Sequence, residues 1–322
     1  MMASRNLYDL PDDAVWFITG SSSDIGLALA KLIASHPTHR LVATARNSST
    51  LSGLLDLTDR VCTSDLNVTS EDSIAAAVDS ALLKFGRIDV VVNNAGYGLM
   101  GDAESALNPE DYAKARKLVE TDFWGTATLS LHAIRVFHDH NPKSGQQGGV
   151  VLNVTSLGGG GWGLPVFPGS AFYHAAKFGV EGFTESISKE VRPEWNIHFC
   201  LIEPGGTRTS FASASMDWLS PHPAYAAADT PSRVLEGYVK DPEMQKTWTP
   251  AERIAAGMYS VVARAKGKPL PMRLPLTKGA WEVIKAELSA ADKELEDIKE
   301  MSLSVEADDM NKAGAFLGEK FQ

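Results

Sequence analysis

Short apolar runs alternate with helical patterns along the first two hundred residues, and this alternation constrains the fold more than any other feature. Residues 14–19 (AVWFIT) form the first run, followed by 41–45, 61–64, 88–92 (IDVVV), 149–154 (GVVLNV) and 197–202 (IHFCLI). Between them lie LALAKLIAS, a helix over 69–85, a largely helical stretch over 109–140 and a helix over 171–191. Thr69 or Ser70 is placed to cap the second helix, with Glu71 and Asp72 at its positive end. The stretch 109–140 reads as two segments meeting near Thr121. Such alternation predicts βαβ units: an α/β fold with a Rossmann-type doubly wound parallel sheet and helices on both faces. Ligands in such sheets bind at the carboxyl ends of the strands. The Gly20 turn, Asn93, Ser156 and Pro204 all fall at those ends.

Beyond Thr209 the pattern changes. Residues 211–240 are rich in Ala, Ser, Pro and aromatics with weak periodicity, and read as a substrate lid inserted over 208–245. A helix over 251–266 and an edge strand over 270–276 (LPMRLPL) close the catalytic unit, since edge strands tolerate proline. Residues 277–322 form a C-terminal helical extension, with a charged amphipathic helix over 279–301, an i,i+4 pair at Lys293/Asp297 and a polar tail.

The net charge of −10 argues against nucleic acid as the main partner, since phosphate binding wants a basic face. No apolar stretch has membrane length, and the start MMASRNLYDLPDD has no signal-peptide core. Cys62 and Cys200 lie in or beside expected strands and read as reduced thiols of a cytoplasmic protein. No His/Cys cluster has metal-ligand spacing, and His198 within a strand reads as structural.

The chemistry concentrates in NVTSLGGGGWGLPVFPGSAFYHAAK, residues 153–177. Tyr173 and Lys177 lie four apart on one helix face, and the stripe continues through Val180, Thr184, Ile187 and Val191. That makes the face an inward one, where a lysine is unusual because an unpaired buried ammonium is costly. A free tyrosine titrates near pH ~10, and an adjacent ammonium pulls it toward the range useful for acid/base catalysis. Ser156, at a strand end, can hydrogen-bond a substrate oxygen as charge develops on it. The bland alternative is a packed tyrosine beside a lysine that snorkels to water.

Five motifs in this order carry a resemblance: TGSSSDIG (19–26), NNAG (93–96), Ser156, YHAAK (173–177) and PGGTRT (204–209). Together they resemble the single-domain, NADP-preferring short-chain dehydrogenase/reductases over residues 14–276. The resemblance implies that Gly20, Ser22, Ile25 and Gly26 surround the dinucleotide phosphates, and that Asp65 with Leu66 meets the adenine. Asn93, Ala95 and Gly96 would line the ribose and steady the sheet, and Pro204, Gly205, Thr207 and Thr209 would approach the nicotinamide and pyrophosphate. Tyr173 would be the proton donor in reduction and the acceptor in oxidation, and Lys177 would lower its pKa and bind the nicotinamide ribose. Ser156 would polarise the carbonyl. Where NAD enzymes of this kind carry an acid after the second strand, this chain has Ala45 and Arg46, and Arg46 can pair with a 2′-phosphate. NADP(H) is therefore the expected cofactor.

Three departures stand out. Asp24 replaces a usual glycine, and the expected role for its carboxylate is capping the following helix. Asp122 stands where relatives have a catalytic Asn, and its charge is expected to raise the Lys177 pKa. The Ser156–Tyr173 spacing is long, adding a GGGGWG segment tipped by Trp162. Trp162, Phe167, Phe211, Met216 and Trp218 could line an apolar pocket for a bulky ketone or alcohol. The leading function is an NADP(H)-dependent carbonyl reductase or alcohol dehydrogenase. The alternatives are a redox-neutral enzyme (a dehydratase, isomerase or cyclisation catalyst) and a nucleotide-sensing regulator, which would tend to lose the Tyr–Lys pair. Relatives commonly form homodimers or homotetramers through their two long helices.

Overall fold

The computed structural model describes residues 7–55, 59–159, 167–264 and 268–305. Seven parallel strands form the central sheet: β1 Val15–Ile18, β2 Arg40–Ala45, β3 Val61–Asp65, β4 Val90–Asn93, β5 Gly149–Val154, β6 Ile197–Pro204 and β7 Arg273–Leu276. Their order is β7-β6-β5-β4-β1-β2-β3. The chain thus winds outward from β1 in one direction and then in the other, which opens a crevice beside β1 and β4. Pro275 sits in the edge strand, where its missing N–H leaves no gap inside the ladder.

Period-two alternation in the strands sends their side chains to two separate cores. Trp16 and Ile18 join Leu41, Ala43, Val90 and Val92 on one face, under helices α1 Asp24–Ser35 and α7 Ala251–Ala263. Val15 and Phe17 join Val42, Val91, Val151 and Phe199 on the other. There they meet α2 Glu71–Phe85, α4 Gly125–Arg135 and α5 Ala171–Glu190. Trp16 and Phe17 are fully buried, and truncating such a side chain costs about 3–5 kcal/mol. Helix α2 is capped by the Ser70 side chain and ends at Gly86 in the left-handed region. His198 lies at the amino end of β6, bonded to Asn196 Oδ1 at 2.8 Å, away from the crevice. Cys62 and Cys200 are both free thiols.

Helix α3 Pro109–Val119 passes into α4 through a π-helical turn, Glu120–Trp124. The break expected near Thr121 is this widened turn in a continuous helical run. The lid segment contains α6 Pro231–Lys240 and a short strand, Met216–Trp218, which pairs in parallel with Gly98–Met100. Its polar anchors are Asp102, which accepts from Ser232 Oγ at 2.7 Å and Arg233 Nη2 at 2.8 Å, and Asp111, which accepts from Ser220 N at 3.1 Å. The C-terminal extension begins with α8 Lys278–Asp297 and bends at Ile298 before a last turn, Lys299–Leu303. The single helix expected over 279–301 is therefore two. The expected Lys293/Asp297 contact is not among the ion pairs of the described residues. The polar tail beyond residue 305 lies outside the described residues. Among the described residues no helix is long and apolar enough to cross a membrane.

Candidate active site

At the carboxyl end of β1 the chain turns through Gly20 at φ 66° into α1. A Cβ on Gly26 would lie 2.2 Å from the Gly20 carbonyl oxygen, so the turn can close on the helix only with glycine there. Ser21 is buried, its N–H bonded to Thr44 O at 2.9 Å and its hydroxyl to Ile18 O at 2.9 Å. Ser22 is exposed, and Ile25 packs partly into the core. The N-cap residue Ser23 makes no side-chain bond to the helix, so the first N–H groups of α1 remain for an anion. This cradle fits the phosphates of a dinucleotide.

Asp24 corrects the sequence reading. It does not cap α1: its backbone is left-handed at φ 55°, which turns the carboxylate away from the helix. The carboxylate instead accepts from Ser210 N–H at 2.8 Å and from the Ser210 hydroxyl. Glycine would adopt this left-handed geometry without strain.

The NNAG segment divides its labour in a way the motif alone does not show. Asn93 is buried and faces inward, donating to Asn153 Oδ1 at 2.8 Å and Ser130 Oγ at 3.0 Å. Its side chain thus steadies the sheet and does not line the ribose. Asn94, which sequence reasoning passed over, bonds Thr19 O at 2.9 Å and fixes the phosphate turn. Thr19 Oγ1 accepts from the Asn94 and Ala95 N–H groups, both at 2.9 Å. Gly96 backs onto Asp122, where a Cβ would come within 3.0 Å of the carboxylate.

At the adenine end Leu66 is buried in the core, so its side chain is not available to a ligand. Asp65 is exposed at the end of β3 and accepts from Ser48 N–H at 2.7 Å, a bond that holds its carboxyl below the usual range. Arg46 follows β2, is exposed and makes no ion pair among the described residues. On the other side of the crevice, after Pro204, Thr207 Oγ1 bonds Gly205 O at 2.8 Å and Thr209 Oγ1 bonds Thr207 O at 3.2 Å, shaping their own loop.

Ser156, Tyr173, Lys177 and Asp122 come together at the end of β5. The inward stripe of α5 forms as expected, with Lys177, Val180, Thr184 and Ile187 buried. Lys177 Nζ lies 3.1 Å from Asp122 Oδ2, donates to Val154 O at 3.2 Å, and sits 5.6 Å from the centre of the Tyr173 ring. Asp122 is fully buried in the π-turn, a distortion often found at functional sites, and its Oδ1 accepts from Tyr97 N–H at 3.1 Å. Ser156 is half-buried and accepts from Gly158 N–H at 3.2 Å, and its hydroxyl is near enough to the Tyr173 phenol to favour the ionised form slightly.

Burial opposes the Lys177 charge, but the Asp122 carboxylate and the Tyr173 phenol outweigh it and hold the ammonium above its usual pKa. Burial likewise pushes the Asp122 carboxyl up against Lys177 and the Tyr97 N–H. For Tyr173, burial raises the pKa, Lys177 lowers it, and Asp122 raises it again. The net direction is upward, against the sequence expectation. The ammonium acts as expected, but part of its field is spent on Asp122.

The residues expected to line an apolar pocket fall in different places. Phe211 packs against Tyr173 with ring centres 5.6 Å apart and planes tilted by 60°, and Met216 lies beside it against Gly98. Phe167 packs 6.0 Å from His174, the neighbour of Tyr173. Trp218 is bound into the lid instead, with the Lys240 ammonium 4.0 Å over its ring. Trp162 and most of the GGGGWG segment lie outside the described residues. Tyr97 was missed from sequence: its hydroxyl is buried without a hydrogen-bond partner among the described residues, and burial pushes it up to about 12.

A family model for short chain dehydrogenases matches residues 14–220. The chain is a short-chain dehydrogenase/reductase. This oxidoreductase is 42% identical over 298 residues to the oxidoreductase calM of Penicillium decumbens, covering 92% of this chain and 94% of that one. It is 33% identical over 300 residues to an uncharacterized oxidoreductase of Schizosaccharomyces pombe, covering 92% and 93% of the two chains. Among solved structures, a short-chain dehydrogenase from Streptomyces avermitilis superposes with a TM-score of 0.74 at 26% identity, over 91% of this chain and 100% of that one.

Proposed function

We propose that this short-chain dehydrogenase/reductase interconverts a ketone or aldehyde with an alcohol on a bulky hydrophobic small molecule, using NADP(H). The observation that carries the reading is the convergence of Ser156, Tyr173 and a buried, ion-paired Lys177 at the strand ends, across from the uncapped start of α1. The dinucleotide, when bound, would supply or take up the hydride. Gly20, Ser22, Ile25 and Gly26 would hold its phosphates, Arg46 the 2′-phosphate, Asp65 the adenine edge, and Ala95, Gly96, Thr207 and Thr209 the remainder.

The protein's own residues perform the rest. Ser156 donates to the substrate oxygen and holds it beside the Tyr173 hydroxyl, which lies near it. Tyr173 delivers its proton to that oxygen in reduction and removes one in oxidation. Lys177, kept charged by Asp122, stabilises the resulting phenolate. Phe211 and Met216 exclude water from one side of the pocket.

The test is NADPH absorbance with a panel of aryl, terpenoid and steroid ketones, and NADP with the matching alcohols. Turnover of a member with preference over NADH supports the reading. Tight NADPH binding without oxidation on any member would favour redox-neutral chemistry instead.

A further inference from the structure

Asp24 stands in the phosphate turn, yet both its carboxylate oxygens are committed to a residue 186 positions away. Ser210 gives it the backbone N–H at 2.8 Å and the hydroxyl, and Ser210 Oγ also meets Ser215 Oγ at 2.9 Å. The Ser215 carbonyl in turn accepts from Gly98 N–H at 2.8 Å, and the next residue, Met216, starts the strand paired with Gly98. Phe211 follows Ser210 and packs, tilted, against Tyr173. A Cβ on Gly98 would fall 2.6 Å from Met216 and 2.8 Å from Phe211, so this wall is closely packed. An unbroken series of contacts therefore runs from the phosphate turn to the wall over the acid/base tyrosine.

Two costs accompany this arrangement. A residue with a Cβ at φ 55° carries strain that glycine would not. A carboxylate in a turn suited to anions also works against phosphate binding. Neither is needed for folding α1, which the side chain does not cap.

We propose that Asp24 is a positioning residue: it fastens the root of the lid to the cofactor turn and so sets Phe211 and Met216 over Tyr173. The substrate side of this inference rests on the proposed oxidoreductase reading, whereas the fastening itself does not. The exchange of affinity is specific: dinucleotide binding is weakened by the charge, and the substrate wall is ordered by it.

The experiment compares wild type, Asp24→Gly and Asp24→Asn as full chains. Amide hydrogen exchange over residues 210–219 is measured without ligand, together with KM for a ketone, kcat, and NADPH affinity. Glycine accepts the left-handed backbone, so Asp24→Gly should keep the global melting temperature. It should speed exchange over 210–219 by roughly tenfold, as loss of a charge-assisted pair of bonds implies. KM should rise by a similar factor, kcat should change less, and NADPH should bind as tightly or more so. Asp24→Asn keeps an acceptor for Ser210 N–H and should restore most of the protection. Unchanged exchange at 210–219 in Asp24→Gly, or an increase spread evenly over the chain, would overturn the proposal. If no ketone is turned over by any variant, the exchange data still decide the fastening, and the failure belongs to the functional reading.

Discussion

Replacing Asp122 by Asn removes one charge from the most buried electrostatic contact in the site while keeping its shape. At 3.1 Å the Coulomb attraction between Asp122 and Lys177 is on the order of 5 kcal/mol for an effective dielectric near 20, before desolvation is subtracted. Deleting a partner from a buried pair typically costs about 3–5 kcal/mol. Asparagine still offers an oxygen to Tyr97 N–H, and Lys177 keeps the Val154 carbonyl, so a loss of about 1–3 kcal/mol is expected. The melting temperature should fall by about 2–5 °C for a chain of this length. The functional effect is of opposite character. Burial is the main cause that raises the pKa of Tyr173, and Asp122 raises it further, so neutralising Asp122 leaves Lys177 less opposed and lowers that pKa. The assay is alcohol oxidation followed into the alkaline range, where rate rises as Tyr173 loses its proton. In Asp122→Asn the rising limb should move toward acid, with activity retained. A limb that stays in place despite the lower melting temperature would show that Asp122 does not act on the tyrosine. Loss of activity at every pH in a folded protein would show a direct chemical role for the carboxylate.

Arg46→Asp should move cofactor preference from NADP toward NAD, measured as the ratio of kcat/KM values, and unchanged preference would count against Arg46 as the 2′-phosphate partner. Gly96→Ala should push the Asp122 carboxylate, 3.0 Å from the new methyl group, away from Lys177 and lower both turnover and melting temperature; wild-type values for both would refute the packing argument. Burial, aided by the neighbouring His36 charge, pulls His39 down to about 4, and burial alone does the same to His174. Each stays neutral in the fold while the unfolded chain protonates near pH ~6.5, so stability is full above that pH and falls as pH drops toward 4, by up to about 3 kcal/mol per histidine. Thermal melts across this window should show the fall, and His39→Gln should reduce it; an equal slope in the variant would exclude His39 as a source.

The parts of this structure legible in the sequence are those set by local pattern. GVVLNV is bounded by glycine and a Thr-Ser pair and becomes β5 residue for residue. The inward face of α5 follows from helical spacing through Lys177 and Thr184. What could not be read depends on partners far along the chain. The lid shows weak periodicity because its order comes from Gly98–Met100, Asp102 and Asp111, more than a hundred residues earlier. Asp24 follows the local rule for a capping residue, and only its left-handed backbone and Ser210 reveal otherwise. Asn93 and Asn94 are neighbours in one motif, yet the pleat of β4 sends the first into the sheet and leaves the second for the phosphate turn. The Tyr173 pKa likewise depends on Asp122, whose distance from Lys177 no motif spells out.

The most direct test of the central claim is NADPH oxidation by a ketone substrate, measured alongside NADPH binding, in Tyr173→Phe. The phenyl ring keeps the packing against Phe211 and removes only the transferable proton. The account predicts that turnover drops by roughly 10²–10⁴-fold while NADPH binds within a few-fold of wild type. Turnover near the wild-type rate in that variant would contradict it.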